Sequence, residues 1–266
     1  MIVRRLDDYQ SWQIQFGGTS LLIDPWLTDD PISGAFDRRH GHGFTTLADL
    51  RRESGTIGSV LLCTSVNDHL HPATMRALSA SSDSVVPVHG PVKAVKLARS
   101  FGCTDTHRRQ PGDTFTVAAP EGGSLHITVT RTGLPLGLIA VGYLIEAIDA
   151  AGDSQGRVWI EPHQPTRSVA ASLAPVDVAL LPTQAVTAVV LPVTAGPRRS
   201  VRAALAARAH TVIPTATDPR RDMTWWQKVL YIVTGSTRRA FERAAPTPTQ
   251  VIELAAGDWF DVRKKT

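Results

Sequence analysis

The feature that most constrains this chain is an apolar segment that runs directly into a cluster of acidic and histidine residues. Residues 59–63 (Ser-Val-Leu-Leu-Cys) predict a buried strand, and a short polar stretch then leads to Asp68-His69-Leu70-His71. Pro72 suits the first turn of a helix, where its missing N–H would have no partner in any case. A strand, a polar turn and a helix in this order predict a site at the carboxyl end of a strand in an α/β fold.

The rest of the chain alternates strands and helices. The first part is rich in strands, with a hairpin turn at Gly17-Gly18, and a second half repeats the order of strands followed by β/α units. A length of 266 residues is compatible with one large domain, so we expect a single domain over 1–266 of the α/β (α+β) class. The patterns predict helices over 46–52, 73–80, 91–100, 166–173, 197–209, 224–233 and 237–244.

Polar residues follow four of the predicted strands. They are Asp24-Pro25, Asp68 to His71, Glu161-Pro162-His163 and Pro214-Thr215. Strand ends are where α/β folds place their sites, so we expect these segments to lie near one another.

Taken in order, these segments resemble the metallo-β-lactamase superfamily. The stretch LLIDPWL at 21–27 resembles its early strand, and LLCTSVNDHLHPATMRAL at 61–78 resembles its metal loop and helix. The stretches VGYLIEAI, VWIEPH and VDVALLP follow in the order that the superfamily uses. The resemblance is nearest to the ascorbate-phosphate lactonase-like hydrolases, and it implies a four-layer αββα sandwich.

The resemblance also implies a reduced metal site. The superfamily pattern is His-x-His-x-Asp-His, and this chain has Thr64 and Val66 at the two leading histidine positions. Valine has no donor atom and neutral threonine is a poor zinc ligand, so the first of two ions would be lost. Asp68 and His69, with Glu161 or His163, would then hold at most one ion, which could be zinc, manganese or iron(II). The late histidine of the family would fall at 215–218, where the chain offers Thr215, Thr217 and Asp218 instead.

Two classes of function remain open. The first is a hydrolase of a small ester, lactone or phosphoester, in which water activated by one divalent ion attacks while Asp68 or His71 moves the proton. The second is a catalytically inactive pseudo-hydrolase that binds a ligand or serves in assembly, with no ion. Catalysis by the His/Glu cluster without a metal is a third alternative.

Each candidate also has a structural interpretation. Asp68 could cap the helix that begins near Pro72, and Asp24 is expected to be a turn residue. His40 and His42 are expected to be exposed in a loop. Trp225-Trp226 lie in an apolar helix, for which burial in the core is the simpler prediction and an interface is the alternative.

Composition narrows the choice of partners and location. The chain has 23 arginines and five lysines, a net charge of +4, and seven Arg-Arg dyads spread along its length. Because the dyads are scattered, we expect no nucleic-acid partner and a small-molecule substrate instead. Two cysteines support no disulfide framework, and no signal peptide or membrane-spanning segment is evident, so we expect a cytoplasmic protein of open oligomeric state.

Overall fold

In the computed structural model, which describes residues 1–32, 43–80, 85–215 and 224–263 apart from the side chain of Ser54, most strands fall into two sheets of seven. Strands and helices are numbered along the chain. The first sheet has the order β17-β1-β2-β3-β4-β5-β6. Its strands are β1 (Ile2–Arg5), β2 (Trp12–Phe16), β3 (Thr19–Ile23), β4 (Thr56–Leu61), β5 (Val88–Gly90), β6 (Thr106–Arg108) and β17 (Trp259–Asp261).

The second sheet has the order β16-β14-β11-β10-β9-β8-β7. Its strands are β7 (Thr114–Ala118), β8 (Ser124–Arg131), β9 (Val141–Ile148), β10 (Ser154–Ile160), β11 (Val178–Leu181), β14 (Thr211–Pro214) and β16 (Gln250–Val251). The helices are α1 (Leu47–Ser54), α2 (Pro72–Ser79), α3 (Val92–Ser100), α4 (Arg167–Leu173), α5 (Pro197–Ala206), α6 (Trp225–Leu230) and α7 (Thr237–Ala244), with a short 3₁₀ turn at Leu136–Leu138.

The main core lies between the two sheets. Alternate residues of each strand point inward, as the two-residue period of a strand requires, so Trp12 and Leu21 of the first sheet pack in one cluster with Ile127, Tyr143 and Val158 of the second. Burial of these large side chains is the main stabilising term of the fold.

Helices cover the outer face of each sheet. Leu50 of α1 and Met75 of α2 pack on Leu22 and Val60 of the first sheet. On the other side, α4, α5 and α7 pack through alanines and Val201 against Trp159 and neighbouring residues of the second sheet. The four layers are therefore helix, sheet, sheet and helix, which confirms the predicted αββα sandwich of the α/β (α+β) class.

A third, three-stranded sheet, for which the sequence gives no expectation at 184–194, corrects the helix predicted over residues 231–233. It consists of β12 (Gln184–Ala188), β13 (Leu191–Thr194) and β15 (Tyr231–Gly235). The predicted end of the helix at residue 233 is wrong. The helix stops at Leu230, because the β-branched stretch after it pairs with β12. The predicted burial of Trp225 and Trp226 is also wrong, since their side chains are 80% and 45% exposed.

The sheets bring the predicted strand ends together. In the first sheet β3, β4, β5 and β6 run parallel, and in the second β10, β11, β14 and β16 do. The carboxyl ends of β3, β4 and β10 carry Asp24, the 62–71 turn and Glu161 to His163. Within the described part of the chain, the longest apolar helices fall short of the length needed to cross a membrane.

Candidate functional site

Asp24 and His69 form the most tightly held pair of the site. Asp24 follows β3 and has a positive φ of 46°, a conformation that aspartate tolerates better than most residues. Its Oδ1 accepts the backbone N–H of Cys63 at 2.8 Å, and its Oδ2 accepts Nδ1 of His69 at 2.7 Å. Asp24 therefore fixes the orientation of the imidazole and leaves Nε2 of His69 directed away from this hydrogen bond. The sequence predicts only a turn role for Asp24, whereas in the structure Asp24 both holds the backbone of the turn and orients His69.

Asp68 lies on the other side of the His69 ring. Its Oδ2 is 3.9 Å from Nε2 of His69 and accepts a 3.2 Å hydrogen bond from the Tyr9 hydroxyl. Its Oδ1 is buried and has no hydrogen-bond partner among the described residues. Asp68 does not cap α2, because the N-cap residue is His71. The structural interpretation of Asp68 as a helix cap is therefore wrong.

His163 approaches His69 from the second sheet. The two ring centroids are 4.6 Å apart and the rings are inclined by 31°. Nδ1 of His163 is buried and, within the described chain, makes no hydrogen bond. The structure thus brings Asp68, His69 and His163 together, as the sequence predicts.

Glu161 precedes the turn that carries His163, and it does not line the cavity described below. Its Oε1 accepts hydrogen bonds from the hydroxyl of Thr132 at 2.7 Å and from the backbone N–H groups of His163 and Gln164 at 3.0 and 3.2 Å. These bonds fix the turn that carries His163. The other carboxylate oxygen, Oε2, is buried and has no hydrogen-bond partner among the described residues, so the ligand role predicted for Glu161 stays a prediction.

His71 takes a structural position. It is the N-cap residue of α2, and its side chain accepts the backbone N–H of Thr74. Its ring also packs against Trp26, with 5.8 Å between centroids. His71 begins the helix, and it is not one of the residues that line the cavity described next.

A narrow cavity of about 70 Å³ opens beside the three site residues. It is far smaller than the ~300–1,000 Å³ typical of ligand pockets, so only a small group or the end of a larger molecule can enter it. Thr64 and Val66, which replace the two histidines expected from the resemblance, lie in its wall. The other lining residues are Tyr9, Gln10, Asp68, His69, Leu136, His163, Pro182, Gln184, Val186, Val193 and Thr194.

Charge distribution differs between the two imidazoles. Burial lowers the pKa of His69, but the carboxylates of Asp24 and Asp68 outweigh it and raise that pKa overall. Burial, followed by the charge on His69, lowers the pKa of His163 well below its usual range. Burial also raises the pKa of Glu161 to about 6. The surroundings therefore shift the pKa values of the two imidazoles in opposite directions, upward for His69 and downward for His163.

The side chains of Asp68, His69 and His163 carry the types of donor atom that bind divalent ions. Two imidazoles and a carboxylate are common ligands for zinc, manganese or iron(II), and the Asp24–His69 hydrogen bond is the arrangement that usually orients a metal-binding histidine. The unpartnered atoms of Asp68 and His163 are buried, where polar atoms are normally satisfied. As the side chains stand, however, no three His, Cys, Asp or Glu residues of the described chain form a group spaced to hold an ion.

Several contributors were missed by sequence reasoning. Tyr9 and Gln10 follow β1 and both bond to Asp68, which is far away in the sequence. Burial, followed by the charge of Asp68, raises the pKa of Tyr231. No motif surrounds these residues. Thr215 is buried beside the end of β11 with an unpartnered hydroxyl, whereas His40, His42, Thr217 and Asp218 lie outside the described residues.

Comparison with known proteins gives one family and several structural neighbours. The family model described as a beta-lactamase superfamily domain matches residues 7–216. A metallo hydrolase from the archaeon Ignicoccus hospitalis has 16% identity and a TM-score of 0.64, covering 97% of each chain. An isothiocyanate hydrolase from Delia radicum gut bacteria has 16% identity and a TM-score of 0.67, covering 98% of each chain. A metallo-beta-lactamase fold protein from Bacillus subtilis has 13% identity and a TM-score of 0.64, covering 97% of this chain and 98% of its own. A search of curated proteins gives no match.

Proposed function

Because the chain belongs to the beta-lactamase superfamily domain family, we propose that it is a metal-dependent hydrolase with a single-ion site at Asp68, His69 and His163. The observation that carries the proposal is the pair of buried, unpartnered atoms, Oδ1 of Asp68 and Nδ1 of His163, beside an imidazole already oriented by Asp24. The structural neighbours that are named as hydrolases support the same class of reaction. We propose a small ester, lactone or phosphoester as the substrate, the class that the resemblance implies, with only a small part of it entering the cavity.

The residues of the chain have separate tasks in this proposal. Asp24 holds His69 in one orientation, and the Tyr9 hydroxyl holds Asp68 so that its unpartnered Oδ1 would be free to bind the ion. The buried Nδ1 of His163 would supply a second ligand atom, and Glu161 fixes the turn that carries His163. A divalent ion, when bound, supplies a Lewis acid that polarises the substrate oxygen and acidifies water. Burial of the side chains excludes bulk water and strengthens these interactions.

Metal analysis of protein purified without chelator tests the proposal. We expect close to one equivalent of zinc, manganese or iron in the unmodified protein and a large loss in both His69→Ala and His163→Ala. His126→Ala, on an exposed part of β8, is the matched control and should retain the metal. The metallohydrolase proposal fails if the unmodified protein holds only a small fraction of an equivalent even after reconstitution.

A second function, a ligand-binding pseudo-hydrolase, is favoured by one observation. The site residues of the described chain form no ready three-ligand group, and Thr64 and Val66 occupy the cavity wall. Under this alternative the cavity binds a small organic group through Asp68 and His163 without turnover. Metal-free protein that nevertheless binds a small ester or lactone, without hydrolysing it, would support this second function.

A further inference from the structure

A second concave surface lies on the helical layer over the second sheet, and it shares no lining residue with the cavity. It is an open groove of about 1,250 Å³ between α4, α5 and α7. Six arginines line it, and no aspartate or glutamate does so within the described chain. We call it the arginine groove, after Arg167, Arg198, Arg199, Arg202, Arg239 and Arg243.

Folding gathers arginines that are scattered in the sequence. Arg198 and Arg202 are four residues apart on α5, as Arg239 and Arg243 are on α7, so each pair lies on one helix face about 6 Å apart along the axis. The two helices pack against each other. The groove therefore presents two rows of guanidinium groups, and the fold gathers on one face arginines that are scattered in the sequence.

Most of these guanidinium groups are not engaged by the protein. Arg199 is the exception, since it donates to the backbone oxygen of Pro165 and to the side-chain oxygen of Gln164. The other five make no hydrogen bond or ion pair with the described residues. By contrast Arg238, the neighbour of Arg239, is paired with Glu242 at 3.0 Å and does not line the groove. Like charges held together without a counterion favour an anionic ligand.

The lining favours a row of phosphates over other anions. Arginine forms bidentate bonds with phosphate and carboxylate alike, but a docked acidic protein segment normally needs a large apolar or aromatic anchor. Besides alanines and prolines, Leu205 is the one apolar side chain that the described residues place in the groove for this purpose. A small ligand would need an enclosing pocket, whereas this groove is open.

The same lining distinguishes between kinds of nucleic acid. Single strands are bound by stacking their bases on aromatic side chains, and no aromatic residue lines the groove in the described chain. Contacts with a duplex backbone need only positive and polar groups. We propose that the arginine groove binds the backbone phosphates of a double-stranded nucleic acid without reading its sequence.

The test measures binding of fluorescently labelled DNA and RNA duplexes, two helical turns long and of two unrelated sequences, by anisotropy from about 50 to 200 mM salt. We expect the unmodified protein to bind both sequences alike with a steep salt dependence. In Arg198→Gln/Arg202→Gln, the slope of log K against log salt should fall by about 2, since each lost phosphate contact removes about 1. Comparing the DNA and RNA arms then shows which duplex is preferred.

Two further variants keep the test decisive. Arg239→Gln/Arg243→Gln should reduce the slope by a similar amount from the other helix, and Arg238→Gln, outside the groove, should bind as the unmodified protein does. The four arginines replaced in the two double variants are exposed, so the thermal midpoints of these variants should equal that of the unmodified protein. Equal midpoints exclude unfolding as the cause of weaker binding. The proposal is overturned if neither duplex binds at low salt, if both double variants bind like the unmodified protein, or if polyglutamate binds the groove while duplexes do not.

Discussion

At the scale of single residues, Asp24 carries more than its place in the sequence indicates. One carboxylate oxygen bonds the backbone of Cys63 and so holds the end of β3 to the start of the turn over residues 62–71, and the other oxygen orients His69. The backbone of Asp24 is in the left-handed region, a conformation usually kept only when the surroundings require it. Asp24 is thus a positioning residue whose effect reaches the cavity through His69.

Replacing Asp24 by asparagine should expose this role. Without the carboxylate, burial becomes the stronger influence, so the pKa of His69 should fall, as followed by NMR of the ring protons. Loss of an orienting carboxylate also typically weakens metal affinity by about 10- to 100-fold. Asp29→Asn, an exposed residue of the following loop, is the control. An unchanged His69 pKa in the Asp24 variant would show that the hydrogen bond has little influence.

At the scale of elements, α2 depends on His71 for its start. The helix has Pro72 in its first turn, and His71 accepts the N–H of Thr74, so the two residues together define the helix boundary. The predicted start at this position is correct, but the residue that caps it is the histidine rather than Asp68. This leaves the side chain of Asp68 directed to the cavity.

His71→Ala should lower the free energy of unfolding by about 1 kcal/mol, the usual cost of losing an N-cap side chain. His71→Asp should restore most of that loss, because aspartate is a strong N-cap residue. Urea denaturation measures both variants. If turnover in His71→Ala falls much further than the fraction of folded protein does, the result would support the proton-transfer role predicted for His71.

At the scale of the whole molecule, the burial of Glu161 makes stability depend on pH. Its pKa is about 6 in the folded protein and 4.5 in the reference state, so between these values the native state binds more protons than the unfolded one. The native state is therefore favoured at the acidic end of this range, and the contribution is lost as pH rises through about 6.

Glu161→Gln keeps an acceptor for Thr132 and the two N–H groups but cannot ionise. The difference in unfolding free energy between the variant and the unmodified protein should shift by about 1 kcal/mol in favour of the variant as pH rises from 4.5 to 6. Other titrating groups are shared by both proteins and cancel in the difference. A difference that is constant over this pH range would contradict the prediction.

The sequence predicts those parts of the molecule that depend on local pattern. The strand β11 and the helix starts at Pro72 and Pro197 follow from apolar runs and proline positions. The pairing of β15 with β12 could not be predicted in this way, because the strand character of residues 231–235 depends on a partner far away in the sequence. The contact of Tyr9 with Asp68 and the gathering of arginines at the groove are tertiary in the same sense.

The pairing of β17 with β1 has a consequence for how the chain folds during synthesis. Ile2 lies opposite Asp261, so almost the whole chain separates the two strands that close this edge of the first sheet. A nascent chain therefore carries β1 as an unpaired edge until residues 259–261 have emerged from the ribosome, and loop closure over such a length is slow. Edges of this kind pair readily with other chains. A chain that lacks β17 should consequently aggregate during expression, even though every residue of the cavity is present.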